Sequence, residues 1–432
     1  MSEQHNQYLS RGAVFLVISI FLGYAADYAF NLTLSRHLSV HEYGDYKVAY
    51  GFTTLMSVLV LLGGDRLAPR ILARPISEQQ TSTIVDYLAF YLKNAFVLSF
   101  IVIALTWAAS FLYLLSFDKQ DHHAMAFMVL AVPLIAVGAI LSRVLQSAKR
   151  LAASNLPWRI VLPVLKALSV LLLAQYFTSM SVIHVIAAGI IVVIAILLWQ
   201  FRYLKQLGLL QSLKPTYHLD TSKLLKLSIP MMLAMLVTML LNQTDIFMLE
   251  LISQEHVVGH FGAANTLAHL IPVTQVTIAS LFMPLIGHYF DKQPDQALVL
   301  FKKAQRITIL VIAVIATVLF IFSNSLLAIF GDSYLNAEPA LVWLIAGYSV
   351  WAFAAPSVTW QQYNGNGLQI VYVGAAAIMI DLVANLYFIP KYDIEGAAIA
   401  TALSLSCATV LVLMLNLKQS AKSLEKRDET DA

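Results

Sequence analysis

One cysteine, Cys407, stands in a chain of 432 residues. A single thiol excludes an internal disulfide and any metal site built from several thiolates. Charge is equally scarce. Asp, Glu, Lys and Arg make up 12% of the chain, against about 25% in soluble domains. Several chemistries also lack their motifs. No Gly-x-x-x-x-Gly-Lys-Ser/Thr loop is present to hold nucleotide phosphates, so any energy the protein uses would have to come from a gradient. There is no His-Glu-x-x-His and no Gly-x-Ser-x-Gly elbow, which removes the common zinc-protease and serine-hydrolase readings. No basic domain stands apart from the apolar segments, so nucleic acid is not an expected partner.

What is abundant is apolar. The chain is 59% hydrophobic with a mean hydropathy of +0.75, the composition of an all-α, polytopic membrane protein. A crossing takes about 20 apolar residues. By that measure twelve stretches are predicted to span: Gly12–Leu34, Lys47–Gly64, Ile84–Phe117, Ala124–Leu145, Pro157–Phe177, Val182–Leu204, Leu224–Leu251, Val257–Tyr289, Leu298–Ser323, Pro339–Trp360, Leu368–Ile389 and Gly396–Leu417. The first is too long for a signal-peptide core and is read as a retained helix.

Lys and Arg in the connections set the orientation. With both termini cytoplasmic, 21 of the 27 basic residues fall on the inner side and only Arg36, Lys47, Lys119 and Lys391 on the outer. Lys93 and Lys166 lie within helices. That bias predicts cytoplasmic N and C termini.

The chain repeats itself at an offset of 215 residues. Gly44-Asp45-Tyr46 maps to Gly259-His260-Phe261, Pro69 to Pro284, Ile84 to Val299 and Ala124 to Pro339. Six helices followed by six in the same orientation predict two lobes, related by a pseudo-two-fold axis along the membrane normal, around a central cavity. The expected division is a first lobe at residues 1–205, a basic cytoplasmic linker at 206–222, a second lobe at 223–420 and a cytoplasmic tail at 421–432. Pro133, Pro163, Pro230, Pro272 and Pro356 fall within or near helix ends, where they are expected to bend them.

The stretch Leu62-Gly63-Gly64-Asp65-Arg66-Leu67-Ala68-Pro69-Arg70 closes the second apolar run, and Arg66, Arg70 and Arg74 follow at four-residue spacing. On a helix these stack along one face. Two readings apply: anchors on lipid headgroups at the cytoplasmic side, or guanidinium forks that receive an anionic substrate.

At this point the sequence resembles the Wzx-like oligosaccharide-lipid flippases, polysaccharide biosynthesis proteins of the multidrug/oligosaccharidyl-lipid/polysaccharide exporter superfamily. The resemblance rests on Gly63-Gly64-Asp65-Arg66-Leu67-Ala68-Pro69-Arg70, on Asp245-Ile246-Phe247-Met248-Leu249, on Val257-Val258-Gly259-His260-Phe261-Gly262-Ala263-Ala264, and on Pro390-Lys391-Tyr392-Asp393-Ile394-Glu395-Gly396-Ala397-Ala398-Ile399-Ala400-Thr401. Asp393 stands where that family often has glycine, and Gly64 where a larger apolar residue is usual. The resemblance implies outward transfer of a polyprenyl-pyrophosphate-linked oligosaccharide across a bacterial inner membrane, by alternating access and with ion coupling. The partners expected on that reading are the lipid-linked oligosaccharide, membrane lipids, and a glycan polymerase with its chain-length machinery. The expected state is a monomer, with no cofactor beyond H+ or Na+ as coupling ion.

Ionisable groups inside spans are costly, and they usually face protein or a water-filled path. Asp27, Lys166, Asp245 and Asp381 are such groups. In this superfamily carboxylates on the first and seventh helices are associated with cation or proton coupling, which singles out Asp27 and Asp245. The bland alternative is that each only packs its lobe, hydrogen-bonded to a neighbour. Lys166 lies roughly 13 Å into its helix, a depth that suits a cavity-facing ammonium contacting a diphosphate. Adding 215 to 166 gives 381, so Lys166 and Asp381 are expected to face each other across the cavity, with Asp381 displaced by substrate. Substrate-binding candidates are therefore Lys166, Arg70, Arg66 and Asp381. Lys93 reads as a snorkelling lysine, and His260 and His269 as satisfied polar residues. Two other functions compete: a cation-coupled drug or metabolite antiporter of the same fold, and a membrane-embedded glycan polymerase or ligase, for which the predicted outer connections are too short to hold a catalytic loop.

Overall fold

A computed structural model describes residues 3–117, 123–177, 179–210, 219–253, 255–290, 293–364 and 367–431. The described residues form helices only. Residues 211–218 of the expected linker 206–222, with Pro215, and the Gly365-Asn366 turn lie outside the described residues.

The helices run α1 (Glu3–His37), α2 (Val40–Val60), α3 (Gly64–Ser77), α4 (Thr81–Phe117), α5 (His123–Met128), α6 (Val132–Ser147), α7 (Leu151–Leu156), α8 (Leu162–Tyr176), α9 (Val182–Gln206), α10 (Thr221–Ile252), α11 (Glu255–Ala268), α12 (Leu270–Phe290), α13 (Pro294–Ile321), α14 (Ser323–Phe330), α15 (Glu338–Tyr363) and α16 (Gly367–Asp431). A 3-10 turn joins α5 to α6, a π segment at Pro157–Val161 joins α7 to α8, and a second 3-10 stretch joins α14 to α15. Among the described residues, ten segments are long and apolar enough to cross a membrane, and α2 with α3, bent by 45°, makes an eleventh if counted as one span. The last of the ten, Gly367–Leu417, is 51 residues long, and α16 breaks inside it at Asp393, which is not helical.

Local chemistry explains several boundaries. Ser39 caps α2 by accepting from the backbone of Glu42, while the Glu42 carboxylate accepts in return from the Ser39 backbone. This reciprocal capping box starts the second crossing at Val40, earlier than Lys47, and carries Lys47 two turns into the helix. Pro157 and Pro163 bracket the π segment. Each lacks an N–H and crowds the carbonyl four residues back, so the helix widens there by one residue per turn.

Two compact units result: Ala25–Leu240, and Met1–Tyr24 with Leu241–Ala432. The boundaries fall inside α1 and α10 rather than at the linker. The first unit packs Leu67, Tyr87, Tyr91, Ile140, Val144 and Leu204 into one core. In the second, Ala354, Val373, Ala377, Ala408 and Val412 make a smaller seam, where α15 packs along α16. Long apolar faces remain uncovered, with Phe100 73% and Leu310 66% exposed. In water such patches would aggregate, whereas a bilayer satisfies them at no cost.

Candidate functional site

The glycine pair at the end of α2 positions the first basic group. Gly63 adopts φ +78°, and a Cβ there would lie 2.1 Å from the Ser228 carbonyl oxygen. Only glycine permits both the left-handed turn and the approach of α10. The carbonyl of Gly64 accepts from Tyr87 Oη at 2.6 Å. Asp65 is buried in the first turn of α3, where a carboxylate is favoured by the helix dipole. Its Oδ2 lies 3.2 Å from Arg66 Nε, and Arg66 Nη2 reaches Met235 Sδ at 2.9 Å. Arg66 is half-buried, whereas Arg70 and Arg74 are exposed, and Arg74 pairs with Glu78 at 2.6 Å. Of the three stacked arginines, Arg66 is the one drawn into the unit.

Arg66 has basic company. Arg143 of α6 lies within electrostatic reach of Arg66, Asp65 and Arg159 of the π segment. Arg143 thus has two further guanidinium groups and one carboxylate in its neighbourhood, drawn from α3 and the π segment. Like charges repel at this range, so the cluster is suited to a multiply charged anion. Composition had placed Arg143 and Arg159 only among the inner basic residues. No spacing signal links them to Arg66, because they meet through tertiary packing.

Deeper in the same unit, Lys166 of α8 points into an aromatic cage. Its Nζ donates to Tyr46 Oη at 3.0 Å and lies 5.1 Å from the ring centre of Phe30 and 5.0 Å from that of Tyr50. Gly189 of α9 leaves room for the stem, since a Cβ there would stand 3.3 Å from Lys166 Cε. Such contacts are worth about 0.5–2 kcal/mol each. Asp27, on α1, is exposed and accepts from Asn31 Nδ2 at 3.0 Å. The side-chain Oδ1 of Asn31 in turn accepts from Tyr43 Oη at 3.2 Å, and Lys47 sits 5.3 Å from the ring of Tyr43. Asp27 and Lys166 make no direct ion pair. Lys47 is a residue the sequence reading assigned to an outer connection.

The second unit holds the opposite charge. Asp245 of α10 accepts from Asn385 Nδ2 at 2.9 Å and from Thr401 Oγ1. Asp381 accepts from Ser404 Oγ at 3.2 Å. Asp381 and Asn385 are one helical turn apart before the Asp393 break, and Thr401 and Ser404 one turn apart after it. All five side chains are buried, and Asp381 is 2% exposed. Asp381 Oδ2 and Asn385 Oδ1 are buried without a hydrogen-bond partner among the described residues. Neither carboxylate has a salt bridge there. The donor set is all oxygen, the chemistry of a hard cation or a shared proton. Lys166 and Asp381, matched by the repeat, therefore occupy unlike surroundings, one aromatic and one a cluster of oxygens. His260 Nε2 meets the Ser333 carbonyl at 2.8 Å, and Lys93 is exposed.

The model of the family described as polysaccharide biosynthesis protein matches residues 9–290. No curated protein matches. Among solved structures, an inward-facing multidrug-resistance transporter of the multidrug and toxin extrusion family superposes with TM-score 0.76 at 12% identity, over 93% of this chain and 95% of that one. The lipid II flippase MurJ, inward closed, gives 0.75 at 12% identity over 93% and 87%. A transporter of the same superfamily from Pyrococcus furiosus, described by the reverse polarity of its binding pocket, gives 0.69 at 14% over 95% and 96%. At these identities the structures share the fold, and the family match over well above half the sequence establishes that this chain belongs to the polysaccharide biosynthesis protein family, built on the multidrug/oligosaccharidyl-lipid/polysaccharide exporter fold.

Proposed function

We propose that the protein is a flippase that moves a polyprenyl-pyrophosphate-linked oligosaccharide from the cytoplasmic to the outer leaflet of a bacterial inner membrane by alternating access. The observation that carries this is the charge contrast between the units. The first gathers Arg66, Arg143 and Arg159 and cages Lys166, as a diphosphate would require. The second buries Asp245 and Asp381 with no counter-charge among the described residues, and such a pair persists in hydrocarbon only with a proton or a cation. On this reading the pair seats the coupling ion, Na+ or H+, and its occupancy drives the cycle.

Twelve crossings complete the reading. The 51 residues of Gly367–Leu417 measure about 76 Å as helix, more than two hydrocarbon thicknesses of about 30 Å, and the Asp393 break divides them into two. On this reading, taken with the basic bias, both termini lie in the cytoplasm.

A drug antiporter of the same fold would need a free anionic or aromatic seat for a cation. The aromatic seat formed by Phe30, Tyr46 and Tyr50 is already filled by Lys166, which disfavours that function. The test uses proteoliposomes holding an undecaprenyl-pyrophosphate disaccharide with a fluorescent sugar. Inward Na+ or H+ gradients should speed the loss of its protection from a membrane-impermeant quencher. Gradient-driven ethidium movement without lipid movement would refute the flippase.

A further inference from the structure

A groove of about 630 Å³ runs between the α7–π–α8 helix and α9. That volume lies within the range of about 300–1,000 Å³ typical of small-molecule sites. Leu156, Val161 and Leu165 form one wall, and Ile196 and Trp199 the other, with Tyr203 at one end. Apart from the Tyr203 hydroxyl and the Trp199 indole N–H the lining side chains are hydrocarbon, which suits an apolar occupant. From Ala195 to Tyr203, where both walls run together, the groove extends about 12 Å, close to half of a hydrocarbon core of about 30 Å. It therefore serves one leaflet.

Its mouth is basic. Arg150 precedes α7 directly, two residues before the lining Ala152, and Arg202 adjoins Tyr203; both arginines are exposed. Trp199 stacks on Tyr203 with ring centres 5.5 Å apart, an aromatic pair of the kind that sits at headgroup level. Two exposed arginines next in sequence to the ends of an apolar slot suit an amphiphile with an anionic head. The wall is also unusual. Pro157 and Val161, the ends of the π segment, both line the groove, while Arg159 between them is exposed and lies outside the lining. One helix thus offers a hydrocarbon slot on one side and the basic cluster of Arg66, Arg143 and Arg159 on another.

We propose that this groove docks the polyisoprenoid tail of the carrier lipid in the leaflet where the substrate is loaded, with Arg150 and Arg202 meeting the diphosphate on loading, before it reaches Arg66, Arg143, Arg159 and Lys166. The assignment rests on the flippase reading, which supplies a single-chain anionic lipid as substrate. A two-chain phospholipid is the competing occupant.

The full-length protein in phosphatidylcholine nanodiscs, titrated with undecaprenyl phosphate and followed by native mass spectrometry, tests this. Wild type should bind undecaprenyl phosphate at least about tenfold more tightly than phosphatidylglycerol. Ala195→Trp, which fills the slot from an exposed lining position, should weaken undecaprenyl phosphate binding by about tenfold or more. Arg202→Gln disturbs no packing and serves if the tryptophan variant does not fold; it should weaken binding about threefold. Equal affinity for phosphatidylglycerol, or binding unchanged by both substitutions, overturns the groove assignment. Those results leave the flippase standing if the fluorescent lipid still crosses in proteoliposomes. Tail binding that behaves as stated, in a protein that moves no lipid, refutes the flippase and keeps the groove.

Discussion

Asn385 donates its side-chain amide to Asp245 across 2.9 Å and leaves its own carbonyl oxygen buried without a partner among the described residues. That orientation is informative. Turning the amide over would set its oxygen against the Asp245 carboxylate, so the orientation that keeps this bond leaves Asn385 Oδ1 unpaired, as is Asp381 Oδ2 one turn away. Buried polar atoms cost about 1–3 kcal/mol each when unpaired, so an ion that engaged both would recover much of that cost.

The first prediction follows from that cost. Replacing choline by Na+, or lowering pH where H+ is the coupling ion, should raise the melting temperature of the purified protein. At a hundredfold excess over Kd the gain is about 2.7 kcal/mol. Asp381→Asn removes one of two uncompensated charges, so it should leave the ion-free protein at least as stable and abolish the ion-dependent increment. A variant that still gains stability from the ion would place the coupling site elsewhere.

Lys166 makes a second case. Lys166→Met keeps a long flexible stem, and it exchanges cation–π contacts for sulfur–aromatic ones worth about 0.3–1.5 kcal/mol. Tyr46 loses one partner, at about 1 kcal/mol. The folded protein should survive with a net loss of about 1–2 kcal/mol. Transport should fall at least about tenfold, since a charge-assisted contact carries about 1.5–3 kcal/mol. Expression and melting read the first expectation, and quencher accessibility of the fluorescent lipid the second. Normal transport by Lys166→Met would reduce the lysine to packing.

Gly63 tests the turn that positions Arg66. Alanine there accepts a left-handed conformation that costs about 1–2 kcal/mol, and its methyl meets the Ser228 carbonyl at 2.1 Å. Gly63→Ala should therefore lower folded yield sharply. Gly367→Ala, with nothing within 4 Å of the added carbon, should be silent in the same assay.

The helical, membrane-spanning character of the chain could be read directly from sequence, because apolar run length reports on the bilayer. The basic bias predicts an orientation by a separate route, the preference of Lys and Arg for the cytoplasmic side. Boundaries were less legible. The capping box at Ser39 was passed over, and the long eighth stretch is two helices, α11 and α12, that part at His269, three residues before Pro272. Within the site, Asp245, Asp381 and Lys166 stood out as ionisable groups in apolar runs. Their partners did not. Asn385, Thr401 and Ser404 lie on the helix pair flanking the Asp393 break, and only packing shows which of their faces meets Asp245. Nothing in the sequence marks Tyr46 and Tyr50 as partners of Lys166; the packing of α8 brings it to them.

Asp393 gives the last prediction, because two local effects oppose each other there. Its backbone stands at φ 46°, ψ −122°, close to the first central position of a type II′ turn, where glycine is preferred. A residue with a Cβ at such a place carries strain of about 1–3 kcal/mol. Against this, Ser253 donates its hydroxyl to Asp393 Oδ1 at 2.6 Å, and a bond at an exposed carboxylate returns about 0.5–1.5 kcal/mol. Strain relief should win narrowly. Asp393→Gly is therefore expected to raise stability by about 0.5–1 kcal/mol, and Ser253→Ala to lower it by a similar amount in wild type but not in the glycine background. The double-mutant cycle separates the two effects, since the serine matters only while the aspartate is present. A destabilised Asp393→Gly whose loss equals that of Ser253→Ala would mean that the hydrogen bond, not the backbone, sets the bend in α16.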